Sequence, residues 1–470
     1  MRTKITLILL VCILVGCTKN ADIESVNIPS DPVTQTVLPK ISKDISVLSA
    51  DDAIKVANLF SHGKVLTKSE TLKDVRNVVP IKDASDRTLM YAVNYDDGYA
   101  IVSATKNYHP VLAVVDHGTY AGEKTGTGQD VLMNEYMLAT EAAMDGEISV
   151  DKSVWSEYEE VPFQYAPQTK VSDEYNDVVN QYTGEWYQAG YNIYRLNQKP
   201  ENMPDDMYAE FCDYASYHDR PDHDYMQCSF IVEDATRIRH DILPMCITRW
   251  GQGEPYNAGL ENTANPLGCA TIATAQLMWY YRKPTSINWS NMPISLSLGQ
   301  QNSTLTDFLA QLHDNLEISD GGSGYLSSVY ELLIQAYGYN INQFNHNISM
   351  VENSLLNSKP VGMTGHDVYY INDEPVIGAG HMWVCDGFRS TKPQIDYYLY
   401  VIPVGENPIC SLDMVHEGCV YDNVLTVTKH YHMNWGWSGN NNGYFINDDV
   451  SVRGYDFKEY RKNIYVDYDF

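Results

Sequence analysis

The sequence predicts an α+β fold: a small α+β domain, then a larger one in which a helical part packs on an antiparallel sheet. Three observations predict it. Short runs rich in Tyr, Val and Ile alternate with Asp, Asn and Gly turn signals, as strands joined by hairpins do. Other stretches repeat apolar residues every three or four positions, which suits a helix with one buried face. From Leu243 onward the composition changes to apolar runs separated by glycine turns, so another folded unit begins there.

A chain of 470 residues exceeds one ordinary domain. Its 44% apolar and 20% charged residues argue against disorder and against several membrane spans. Its 61 acidic and 32 basic side chains give a net charge of −29, which repels nucleic acid at long range, so no nucleic-acid partner is expected.

The first element is an export signal. Arg2 and Lys4 precede an apolar run from Ile5 to Val15, too short to span a bilayer. Leu14-Val15-Gly16-Cys17 resembles a bacterial lipoprotein signal, which implies a signal peptide over 1–16, diacylation of Cys17 and a polar tether over 17–42. The chain is then expected in the cell envelope, lipid-anchored to the membrane on its periplasmic or outer face, or released after maturation. A plain signal peptide with a chance Cys17 is the alternative. Of nine cysteines, Cys12 leaves with the signal and Cys17 carries lipid; the seven that remain, an odd number, imply at least one free thiol.

Residues 43–151 read as the small domain. Asp51-Asp52-Ala53 can cap a helix burying Ile54, Ala57, Leu59 and Phe60. Tyr91 to Asn94 and Tyr99 to Val102 flank the turn Asp96-Asp97-Gly98, Val111 to Val115 adds a strand, and Asp130 to Met144 has helical spacing. Residues 152–241, rich in Tyr, Asp, Glu and Asn and interrupted by Pro200, Pro204 and Pro221, read as a linker or insertion with local helices. Cys212, His218, His223 and Cys228 admit a zinc site, a Cys212–Cys228 disulfide or two unpaired thiols; their spacing matches no tight zinc pair, so no metal is assigned.

Residues 242–470 carry the chemistry. Gly268-Cys269 feeds an apolar, small-residue stretch that reads as a helix beginning at about Cys269, where unpaired N–H groups stabilise a thiolate. A thiolate needs an imidazole to exchange its proton, and Gly378-Ala379-Gly380-His381 reads as a glycine bend placing His381 at the start of a strand. The imidazole needs an orienting acceptor, which Asn434 can supply with Trp435 shielding the bond. An oxyanion needs donors, and Gln252, between Gly251 and Gly253, can act beside the Cys269 N–H.

These residues carry a family resemblance. Trp250-Gly251-Gln252, Gly268-Cys269-Ala270, Gly380-His381 and Asn434-Trp435-Gly436-Trp437 resemble the catalytic blocks of the streptopain family of papain-like cysteine peptidases. Gly322-Ser323-Gly324 and Lys359-Pro360-Val361 extend the likeness, and the strand from Tyr99 to Ala104 is similar to that family's inhibitory propeptide. The resemblance implies a papain-like two-part catalytic domain without a cofactor. It implies Cys269 as nucleophile, His381 as base, Asn434 as orienter, Gln252 as oxyanion donor and Trp435 as cover. Protein or peptide substrates and an intramolecular inhibitor over 43–151 follow, with the activating cut in 152–241.

Two departures stand out. Residues 388–429 intervene where relatives turn back almost directly into the Asn-Trp-Gly-Trp strand; they hold Cys410 and Cys419, which could close a small disulfide loop, and they are expected to rise beside the active site. Ser438 replaces the usual glycine. The competing functions are a catalytically silent surface-binding lipoprotein with a peptidase fold and a Cys-His transamidase.

Overall fold

The computed structural model describes residues 36–63, 65–66, 71–123, 128–167, 173–217, 226, 229–371, 374–401, 413–420, 427–446, 451–452, 455–456 and 461–467. The expected export signal, Cys17, His218, His223, Cys228 and Cys410 lie outside them, as does the side chain of Cys419.

Helix α1 (Ala50–His62) opens the N-terminal domain. Its cap is Ser49 rather than the expected Asp51-Asp52 pair: the Ser49 hydroxyl accepts from the Asp52 N–H at 3.2 Å, and the Asp52 carboxylate accepts from the Ser49 N–H at 3.1 Å. Each group satisfies a donor the helix start leaves open, and Asp52 serves as the third helical residue instead of the cap. The buried face of α1 is Ala53, Val56, Ala57, Leu59 and Phe60. It lies on a meander of β1 (Val75–Lys82), β2 (Thr88–Tyr95), β3 (Tyr99–Ser103) and β4 (Val111–Val115), each antiparallel to the next. Helix α2 (Gly128–Met144) follows.

Residues 152–241, expected as a linker, are folded. They hold α3 (Asp173–Gln188), β5 (Asn192–Arg195), α4 (Asp205–Tyr217) and β6 (Ser229–Ile242). The C-terminal part holds α5 (Cys269–Tyr281), α6 (Ser303–Asn315), α7 (Leu326–Gln335), β7 (Ile341–Asn345), α8 (Ile348–Leu356), β8 (Val361–Ile371) and β9 (Glu374–Val401). It ends with β10 (Asp413–Val420), β11 (Thr428–Asn434), β12 (Gly443–Ile446) and β13 (Lys462–Val466).

Among the described residues, one antiparallel sheet joins all these strands in the order β7-β13-β8-β9-β11-β12-β4-β3-β2-β1. The N-terminal meander therefore enters the C-terminal sheet through β12 against β4, with Tyr444 opposite Val114. The 28-residue β9 is the axis. Its first half pairs with β8 and β11; its second half pairs with β6 along the whole of that strand, from Phe388 opposite Ile242 to Val401 opposite Ser229. Strands β5 and β10 complete this distal end.

The distal end is a module with two small cores. Tyr194, Phe211, Ile231, Tyr397 and Leu399 pack on the α4 side; Tyr175, Val179, Trp186, Phe230 and Tyr400 pack on the α3 side. At about 3.3 Å of rise per residue, Leu399 lies roughly 60 Å of strand beyond His381. Residues 388–401 accordingly extend away from the proposed site rather than rising beside it. On the first half of β9, Met382 and Val384 face the core built on α5, whereas Trp383 and Cys385 face the core shared with α2. The alternation of a strand thus places a C-terminal helix on one face and an N-terminal helix on the other.

Candidate active site

Cys269 is the first residue of α5, whose residues from Ala270 to Trp279 are all buried. Gly268 bends the chain into the helix with φ of 83°, and a Cβ there would fall 2.6 Å from the Gly322 carbonyl oxygen. The glycine turn Gly322-Ser323-Gly324 thus packs against the residue before Cys269 as no side-chain-bearing pair could. The backbone N–H groups of Met382, Ala270 and Cys269 itself lie near enough to the Cys269 sulfur to favour its charged form. Burial pushes the thiol up in pKa, and these N–H groups, which favour a thiolate, act against it.

Met382 follows His381, so thiol and imidazole are held by adjacent residues. His381 is 5% exposed. Its Nε2 lies 2.9 Å from the carbonyl oxygen of Trp435. A carbonyl only accepts, so Nε2 carries the proton and Nδ1 keeps the lone pair a base requires. Burial depresses the imidazole pKa to about 4, against the Trp435 bond, which raises it. The ring lies parallel to Trp383, 6.2 Å between centroids and 11° between planes, on the face covered by α2.

The expected Asn434–His381 bond is absent from this arrangement. The Asn434 Oδ1 accepts from Gln276 Nε2 at 2.9 Å and from the Gly436 N–H at 3.4 Å; its Nδ2 donates to the carbonyls of Cys246 at 3.0 Å and Thr248 at 2.8 Å. Strand alternation explains this: Asn434 faces α5, while Met433 and Trp435 face the opposite core. The backbone of Trp435 is the acceptor for His381, and its indole packs 5.1 Å from Trp383 rather than over an Asn–His bond. The glycine bend is also placed differently, because β9 begins at Glu374 and Gly380 lies inside the strand. A Cβ on Gly380 would meet the His366 ring at 2.7 Å, so this glycine makes room for a cross-strand imidazole.

Gln252 lies in the turn between Gly251 and Gly253. Its carbonyl accepts from the Leu267 N–H at 2.8 Å, tying its turn to the segment that leads into Cys269, and Gly251 bridges to Trp437. Sequence reasoning missed Gln276 and Asp386. Gln276 lies two turns after Cys269 on the same face of α5, a spacing that could have revealed it. Asp386 is fully buried, accepting from the Cys246 N–H at 2.7 Å and facing His432 Nδ1 at 2.6 Å. It fixes the extended segment leading toward Gln252. Cys212, Cys246, Cys269 and Cys385 are free thiols, and among the described residues no group of His, Cys, Asp or Glu is arranged to hold a metal ion.

The N-terminal domain reaches this site. A Cβ on Gly128, the first residue of α2, would fall 2.5 Å from both Trp383 and Trp435. Further along α2, Glu135 pairs with the buried Arg461 at 3.3 Å and the Tyr136 hydroxyl donates to the Ile446 carbonyl.

Comparison with known proteins gives two family matches. Residues 44–139 match the model described as Spi protease inhibitor, and residues 285–445 match that of the Peptidase C10 family. The second match contains His381, Asn434 and Trp435, while Gln252 and Cys269 precede it. The chain is 22% identical over 245 residues to the thiol protease/hemagglutinin PrtT of Porphyromonas gingivalis, spanning 42% of this chain but only 22% of that relative's length. Among solved structures it is similar to a prointerpain A fragment from Prevotella intermedia, at 15% identity and a TM-score of 0.44, covering 83% of this chain and 97% of that one. It is also similar to active interpain A from the same organism, at 20% identity and a TM-score of 0.32, covering 48% and 94%. An inhibitor-type domain precedes a C10-type region, the organisation of a cysteine peptidase zymogen.

Proposed function

We propose that this chain is an exported, lipid-anchored cysteine endopeptidase made as an inactive precursor, which hydrolyses protein substrates through a thioester on Cys269. The observation that carries the reading is the placement of Cys269 at the N-terminus of α5, with the Met382 N–H favouring its thiolate, next in sequence to a His381 whose Nε2 is held by the Trp435 carbonyl so that Nδ1 stays unprotonated. In this mechanism Nδ1 of His381 takes the thiol proton, the sulfur attacks the scissile carbonyl, and the imidazolium returns the proton to the leaving amine. Water then hydrolyses the thioester. The Cys269 N–H and the Gln252 side-chain amide stabilise the oxyanion.

Latency follows from the neutral state of both groups. Burial raises the thiol and depresses the imidazole, which opposes the thiolate–imidazolium pair that attack requires. Helix α2, packed on Trp383 and Trp435, contributes to that burial. Removal of residues 43–151 admits solvent to this face and relieves it. The activating cut falls in 152–241, and Cys17 carries the lipid that holds the precursor at the envelope membrane; Cys17→Ser is expected to move it to the soluble fraction.

The test is incubation of the protein with a denatured substrate, with and without Cys269→Ala, followed by mass spectrometry of the fragments. Fragments that require Cys269 support the reading, and equal fragmentation by the variant removes it.

A further inference from the structure

Arg237 occupies the middle of β6, inside the distal module, with its side chain 13% exposed. A buried guanidinium is costly unless its donors are met. Among the described residues, every hydrogen-bond and ion-pair partner of the guanidinium lies in residues 36–160. Nη2 donates to the carbonyls of Leu59, at 3.2 Å, and Phe60, which belong to the last turn of α1. Nη1 donates to the Tyr158 hydroxyl at 3.2 Å and pairs with Glu157 at 3.4 Å. The guanidinium carbon sits 4.9 Å above the Phe60 ring. This is a cation at the negative end of a helix, in a planar fork and on an aromatic face, the combination in which arginine is hardest to replace.

Weaker contacts repeat the pattern. Lys40 donates to the Gly190 carbonyl at 3.0 Å, Asn202 to the Ser156 hydroxyl at 2.9 Å, and Lys43 pairs with Glu201 at 3.4 Å. A cavity of about 30 Å³ lies between Phe60, Tyr158, Arg237 and Thr428. The module lies far along β9 from Cys269, so contact with substrate at the thiol does not explain these features.

We infer that the distal module, residues 173–242 with 388–401, is a second docking surface for the N-terminal domain, centred on Arg237, and that it keeps that domain bound after the connecting chain is cut. The inference rests on the reading of residues 43–151 as an inhibitor. Under it, cleavage in 152–241 is insufficient for activation, and release of the domain is a separate, slower step. A cut after Pro167 leaves Leu59, Phe60, Glu157 and Tyr158 on one fragment and Arg237 on the other. The latch is thus intermolecular once the chain is nicked, where tethering no longer supplies a high effective concentration.

The experiment uses the full chain carrying Cys269→Ala, so that no intrinsic peptidase activity contributes, with a site-specific protease sequence inserted after the exposed Pro167. After cutting, the fragments are diluted and separated by gel filtration over time. With Arg237 intact the fragments are expected to co-elute; with Arg237→Ala the N-terminal fragment is expected to leave at least about ten times faster, the change that 1.4 kcal/mol gives. If Arg237→Ala is recovered only as aggregate, Arg237→Lys and Phe60→Leu, which remove the fork and the ring separately, are read the same way. Immediate separation with Arg237 present, or equal retention in the variants, overturns the inference. Because the readout is retention of a fragment, it can fail while Cys269-dependent proteolysis stands.

Discussion

The two ends of β9 do different work. The first half carries His381 and Trp383 between α5 and α2, with Met382 presenting its N–H to Cys269. The second half carries Ile395, Tyr397, Leu399 and Tyr400 between α3 and α4, with Arg237 on the neighbouring strand turned toward α1. One end carries the proposed reactive groups; the other presents surface to the N-terminal domain. One continuous strand thus meets the N-terminal domain twice, through α2 beside Trp383 at one end and through Arg237 at the other. The difference teaches that substitutions at the two ends should separate cleanly, turnover from one and retention or stability from the other.

Substitution at His381 should break the chemical end most severely. His381→Ala removes the group that moves the proton in both half-reactions, and the processed enzyme is expected to lose roughly 10²–10⁴-fold in kcat/KM. Gln252→Ala should follow, lowering kcat by about 10–10³-fold with little change in KM, because its amide serves charge that forms only in the transition state. An unchanged kcat with a raised KM would make Gln252 a substrate contact. Steady-state kinetics on a peptide substrate read both.

Asn434→Ala should behave otherwise. It leaves Gln276 Nε2 and the carbonyls of Cys246 and Thr248 without their partner, each worth about 1–3 kcal/mol when buried. A lowered denaturation midpoint is expected, together with an unshifted pH profile of the remaining activity, since the His381 tautomer is set by a backbone carbonyl. A displaced profile would restore Asn434 to the orienting role.

Acid should weaken the seam between the domains. His430 is fully buried, its Nε2 on the Val111 carbonyl at 3.0 Å, with Phe60 beside the ring, and burial lowers its pKa from 6.5 to about 3. Arg389, His109 and Arg237 face it and disfavour the charged form further. A group with a depressed folded pKa binds fewer protons folded than unfolded below 6.5, so its share of stability is lost as the pH falls from about 6.5 toward 3. His381 acts in the same direction, with its folded pKa at about 4. Denaturant midpoints measured across that range should fall with acid, and His430→Gln should flatten the fall; an equal slope would place the sensitivity elsewhere.

The least effect on chemistry is expected from the distal end. Trp186 is buried and lies 4.2 Å from the Tyr400 ring, so Trp186→Ala should cost the module about 3–5 kcal/mol. The kcat/KM of the processed enzyme should stay within about twofold, because β9 spans the distance between them. A large loss of turnover would join the two ends that this account separates.

Legibility in the sequence divides along the same line. The helix start at Cys269 could be read because a glycine with positive φ marks it, whereas the glycines before His381 lie inside β9 and marked no bend. The helices α1, α2 and α5 and the β2–β3 hairpin could be read from local spacing. The orienting acceptor could not, because the Trp435 carbonyl has no side-chain signature and Asn434 offered a plausible substitute. The module could not either. Strand β6 and the end of β9 are covered on both faces, so Phe230, Ile231 and Val232 run together instead of alternating, and their pairing spans some 160 residues. Arg237 has no signal in the sequence, because its partners Leu59 and Phe60 contribute only carbonyls and a ring.

The central claim is that Cys269 performs peptide hydrolysis and that the N-terminal domain withholds it. The most direct test compares, per mole, the full-length chain, the chain freed of its N-terminal domain, and the freed chain carrying Cys269→Ala, all on one small peptide substrate. The account predicts turnover by the freed chain alone. Equal turnover by the full-length chain would contradict latency, and turnover by the Cys269→Ala chain would contradict the assignment of the nucleophile.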